Sequence, residues 1–118
     1  MRSVERCYQG EGITLRIRGL FTPHPVRIHI EHETGAALIV PGCREGPGPR
    51  GPRLETVGFD GTVFTIELDE DAQVAILSAT QETPILGGGT TARIPRGADI
   101  EDSLRVTGDE ETMPIDVK

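Results

Sequence analysis

The chain is 118 residues long, carries a formal net charge of −7 and holds three Phe, one Tyr and no Trp, which suits one domain built on a single aliphatic core. This acid excess speaks against a non-specific nucleic-acid binder, which needs a dominant basic face to displace counterions from phosphates. No run approaches the ~20 apolar residues of a membrane-spanning helix, and Met1 to Gly12 lacks the apolar stretch of a secretory signal, so a soluble chain with no membrane partner is expected, cytoplasmic or virion-associated.

Ile13 to Leu20 reads as the first strand, with Ile13, Leu15 and Ile17 on one face and Thr14, Arg16 and Arg18 on the other. After the Thr22-Pro23-His24-Pro25 break, Val26, Ile28 and Ile30 alternate with Arg27, His29 and Glu31. A turn at Glu33-Thr34-Gly35 leads into the apolar run Ala36 to Val40. Residues 41–53 contain four Pro, four Gly and three Arg, a composition that predicts a surface loop or an extended arm docked on a neighbouring subunit.

Leu54 to Phe59 and Thr62 to Leu68 flank Asp60-Gly61, a pair that favours a two-residue type I′ hairpin. Phe64, Ile66 and Leu68 share one face of the second strand. Asp69-Glu70-Asp71-Ala72 makes a turn, and Gln73 to Ala79 returns with apolar residues on both faces, as in a central strand. Gly87-Gly88-Gly89 precedes a strand at Thr90 to Ile94, residues 95–103 read as loop or one helical turn, and short strands are expected at 104–107 and 112–117. The pattern predicts an all-β domain spanning the chain: an antiparallel β-sandwich or barrel with Greek-key or jelly-roll-like connections, about eight short strands and little or no helix.

No motif for catalysis or cofactor binding is present, and a non-enzymatic chain without a cofactor or resident metal is expected. His29 and His32 are three residues apart and point to opposite faces of an extended strand, and no histidine follows to complete a cupin-like metal set. The acidic stretches Asp69-Glu70-Asp71, Asp99 to Asp102 and Asp109 to Glu111 lack the spacing of a helix-flanked calcium loop. Neither Cys7 nor Cys43 sits at a predicted helix start, Gly-x-Ser-x-Gly is absent, and the triple glycine lacks the Lys-Ser/Thr of a phosphate loop. Two free thiols are expected of the cysteines.

The charge is divided along the chain. Residues 1–53 hold eight Arg against five acids, and residues 54–118 hold four basic residues against fourteen acids. Arg16, Arg18 and Arg27 form one cationic patch if their strands pair, and arginine is the cation most at home in interfaces. With Arg44, Arg50 and Arg53 from the Pro/Gly segment on one side and Asp69, Glu70 and Asp71 on the other, a basic surface can meet an acidic one on another subunit. The expectation is therefore a structural or interaction module in a larger protein assembly, as a homo-oligomer or with other subunits, most concretely a capsid-decoration or tail component of a virion. The alternatives are a monomeric acidic inhibitor of a basic target, such as an immunity or anti-defence protein, and a calcium- or carbohydrate-binding module.

Overall fold

A computed structural model describes residues 4–97 and 100–101. The strands are β1 (Val4–Gly10), β2 (Ile13–Arg18), β3 (Val26–His32), β4 (Ala37–Cys43), β5 (Glu45–Pro47), β6 (Pro52–Val57), β7 (Val63–Asp69), β8 (Val74–Ala79), β9 (Thr91–Pro95) and β10 (Ile100–Glu101), with one 3₁₀ turn at Pro84–Leu86. All pairings are antiparallel, in two sheets of order β10-β1-β2-β3-β4 and β5-β6-β7-β8-β9. The all-β antiparallel architecture is as the alternation predicts. The connections are nearest-neighbour hairpins with β10 returning beside β1, a meander in place of the expected Greek-key or jelly-roll crossings. Most consecutive strands are joined by turns of one to five residues, and the two longer connections, 19–25 between β2 and β3 and 80–90 between β8 and β9, also join hydrogen-bonded neighbours.

Two bent segments make the sheets into one wall. β4 pairs with β3, turns at Arg44, and continues as β5 paired with β6. Likewise β9 pairs with β8, after which Arg96 bridges Tyr8 and β10 pairs with β1. Strands that pass from one sheet to the other in this way make the corners of a flattened barrel.

The inner faces carry one aliphatic core: Ile13, Leu15 and Ile17 from β2, Val26, Ile28 and Ile30 from β3, Leu54 from β6, Ile66 and Leu68 from β7, Leu77 from β8 and Ile94 from β9. Each is buried in period-two register, which at roughly 1.5–3 kcal/mol per fully buried side chain is the main force holding the sheets together.

Residues 41–53, expected as a loop or docked arm, instead form the end of β4, all of β5, a tight turn and the start of β6. Pro is tolerated here because β5 is only three residues long and lies at a sheet edge. The turn closes with a Gly48 N–H donated to Gly51 O at 2.9 Å, and Arg50 O accepts from Glu70 N–H at 3.0 Å. The Asp60-Gly61 hairpin is longer than the two-residue turn expected. Gly58 N–H bonds Thr62 O and Gly61 N–H bonds Gly58 O, with only Gly61 in the left-handed region at φ 86°. The strands expected at 104–107 and 112–117 lie outside the described residues, and no helix among those described is long and apolar enough to cross a membrane.

Candidate interaction surface

The outer face of the β1–β4 sheet gathers the predicted arginine patch. Cross-strand register places Cys7, Arg16, His29 and Ile39 in one row, and Glu5, Arg18 and Arg27 in the next. Arg18 and Arg27 are direct neighbours, a like-charge arrangement that costs stability unless an acid offsets it. Glu5 does so, with its carboxylate 3.7 Å from Arg18. Glu31 lies 4.0 Å from Arg16 and 3.6 Å from His29. Arg27 makes no ion pair among the described residues. The exposed Arg16–Glu31 pair contributes about 0–1 kcal/mol, so a carboxylate from another molecule can replace Glu31 there at little cost.

This face runs into an apolar seam. From Ala37 to Val40 β4 pairs on one side with β3 and has no strand on the other, while β5 covers β6 only as far as Leu54. The two free edges diverge from the corner at Arg44 and bound a shallow cleft of about 200 Å³ lined by Leu38, Ile39, Val40, Pro41, Thr56, Val57, Gly58 and Phe59. Ile39 is 67% exposed, Val57 62%, and Phe59 fully. Scattered exposed apolar residues are ordinary, but a contiguous group of them on an unpaired strand edge marks an interaction surface.

The other predicted interface residues do not join this surface. Arg44 stands at the corner, in a cleft of about 580 Å³ with Phe21, His24, Pro25 and Cys43 among its walls. Arg53 projects from the outer face of the second sheet toward Glu67, 3.6 Å away, and Arg50 lies 3.8 Å from Asp69. Asp69 also accepts from Ala72 N–H at 2.9 Å, closing its own turn. Glu70 is taken up within the chain by Arg6 at 2.5 Å. Of the three acids only Asp71 is exposed and without a partner among the described residues, so the turn is no acidic counterpart to the arginine face.

Arg6 was not singled out by the sequence, and its site explains why β1 was missed. It occupies an inner-face position opposite Ile17, where alternation calls for an apolar side chain. Its guanidinium covers one end of the core, donating to Tyr8 Oη at 3.4 Å and lying 5.6 Å above the Phe21 ring. Burial opposes its charge, but the hydrogen bonds to Tyr8 and Glu70 outweigh that and hold the group above the ordinary arginine value. The interaction with Glu70 spans 64 residues of sequence.

The remaining candidates read as structural. His32 is buried on the inner face and His29 lies on the outer one, as their spacing predicts. His32 Nδ1 accepts from Thr34 N–H at 3.2 Å and lies 2.9 Å from Thr34 Oγ1, which ties the β3–β4 turn to the end of the core. Among the described residues no three His, Cys, Asp or Glu side chains gather as a metal site. The acids at 99, 102 and 109–111 lie outside the described residues. Neither cysteine is in a disulfide, the two lying on β1 and β4 with two strands between them, and burial pushes the Cys43 thiol above its usual value.

No protein-family model, curated protein or solved structure matches the chain.

Proposed function

We propose that the chain is a non-enzymatic interaction module that works by docking to other protein subunits, copies of itself included, through the outer face of the β1–β4 sheet. The observation that carries this reading is the continuity of the Arg16–Arg18–Arg27 face with the exposed Ile39, Val57 and Phe59. Apolar anchors beside arginines match the make-up of interface centres, where burial supplies affinity and paired charges set orientation. A capsid-decoration or tail component of a virion is the most concrete form of this reading and rests on analogy from fold and composition.

The test is absolute mass by light scattering after size exclusion, at low and high salt, for the wild type and for Arg16→Glu/Arg27→Glu. A defined oligomer that the charge reversal shifts toward the 12.7 kDa monomer is expected. A wild type that stays at 12.7 kDa in both salts would overturn docking between copies, and a charge reversal that leaves a wild-type oligomer unchanged would overturn the role of this face.

A further inference from the structure

Resting on that reading, we infer that two copies of the chain associate through their β4 edges about a two-fold axis at Ile39, extending the β1–β4 sheet across the dimer. The edge from Ala37 to Val40 is uncharged and apolar, so two copies of a chain with net charge −7 meet there without like-charge contact. An unprotected edge of this kind pairs readily with another strand. The β3–β4 turn at one end and Pro41 at the other limit the paired length, which favours a closed pair over a growing fibre.

An antiparallel pair centred on Ile39 sets each Ile39 against its mate, Leu38 against Val40 of the second copy, and Ala37 against Pro41 of the second copy. The flanking charges are then complementary. Glu31 lies beside Ala37 on β3, and Arg27 lies beside Pro41 at the β3–β4 bulge. Each Glu31 therefore shares a row with Arg27 of the other copy, with only the small Ala37 and Pro41 between them. Three strand spacings separate their backbones by about 14 Å. Extended side chains bring the charges well inside the ~8 Å screening length. Arg27, without an ion pair among the described residues, gains one, and the pairing repeats on the opposite side of the axis. Val57 and Phe59, across the seam from Leu38 and Pro41, lose exposed apolar area against the second copy.

The two-fold axis gives a direct test, because a residue on it faces itself. Across an antiparallel pair facing Cα atoms are about 4.5–5.5 Å apart, inside the disulfide range of about 4.4–6.8 Å. In a Cys7→Ser/Cys43→Ser background, Ile39→Cys is expected to form a covalent dimer under mild oxidation. Thr91→Cys, exposed on the other sheet, should stay monomeric. By light scattering the wild type should weigh twice 12.7 kDa and Ile39→Lys 12.7 kDa. Ile39 is largely exposed, so neither variant should unfold the chain. An oligomer that persists in Ile39→Lys, with no cross-link at position 39, would overturn the edge pairing and leave the interaction reading standing. A monomeric wild type at every concentration and salt overturns the edge pairing and, with it, docking between copies.

Discussion

Replacing Gly51 with Ala tests whether the Pro/Gly segment is built into the barrel. A Cβ on residue 51 would fall well inside van der Waals contact distance of the Leu68 carbonyl oxygen and 2.9 Å from Glu70 Cγ. The carbonyl belongs to β7 and cannot swing aside as a side chain can, so the 48–51 turn must lift away. Lifting it breaks the Arg50 O to Glu70 N–H bond, a net loss of about 1 kcal/mol. Residual overpacking adds about 1–3 kcal/mol. The expected destabilisation is about 2–4 kcal/mol, read as a lower midpoint in urea at unchanged slope. At about 4 °C per kcal/mol for a chain of this length, melting should fall by about 8–16 °C. Gly89→Ala is the control: a Cβ there meets nothing closer than 3.8 Å. It should be neutral or slightly stabilising, because alanine restricts the unfolded chain. A Gly51→Ala protein within about 0.5 kcal/mol of wild type would refute the packing and return residues 48–51 to the status of a free loop.

Glu70→Ala strips the carboxylate from a half-buried Arg6 and should cost about 1–3 kcal/mol by the unmet hydrogen bond it leaves, measured by chemical denaturation. Arg6→Met/Glu70→Met should recover part of that loss, since an apolar pair leaves no stranded charge. Asp60 is held below its usual 3.8, first by its hydrogen bonds with Thr62, so its folded-state carboxylate is the favoured form. That contribution is present above the usual aspartate value and is lost as pH falls through the lower folded one. Amide shifts of Gly61 and Thr62 should therefore titrate below pH 3.8, and Asp60→Asn should abolish that step. Cys43, pushed up by burial, should be alkylated by iodoacetamide near neutral pH more slowly than a free cysteine, with the rate rising on unfolding.

Period-two alternation was legible wherever the inner face is largely apolar, as in β2, β3 and β7. It failed at β1, because Arg6 holds an inner position by virtue of Glu70, a partner that only the folded chain brings near. The Pro/Gly composition of 41–53 signals an interruption, yet at a sheet corner and edge an interruption is what lets one strand serve two sheets. The basic face was readable because Arg16, Arg18 and Arg27 fall on one side of strands that pair in register. The seam was not. Ile39 and Val57 look like ordinary strand residues, and their exposure follows from where β5 stops covering β6, a matter of strand order rather than local pattern.

Closure of the barrel through Arg96 and β10 has a kinetic consequence. Nearly every strand pairs with its neighbour in sequence, so most of the structure can form by local zippering without large loop-entropy costs. The meeting of β1 with Arg96 and β10 is different: it joins segments some ninety residues apart and must wait until the intervening hairpins have drawn the ends together. Weakening β1, as by Tyr8→Ala, would then accelerate unfolding far more than it slows folding, the signature of a contact made after the transition state. The seam between the first strand and the last becomes the final contact to lock.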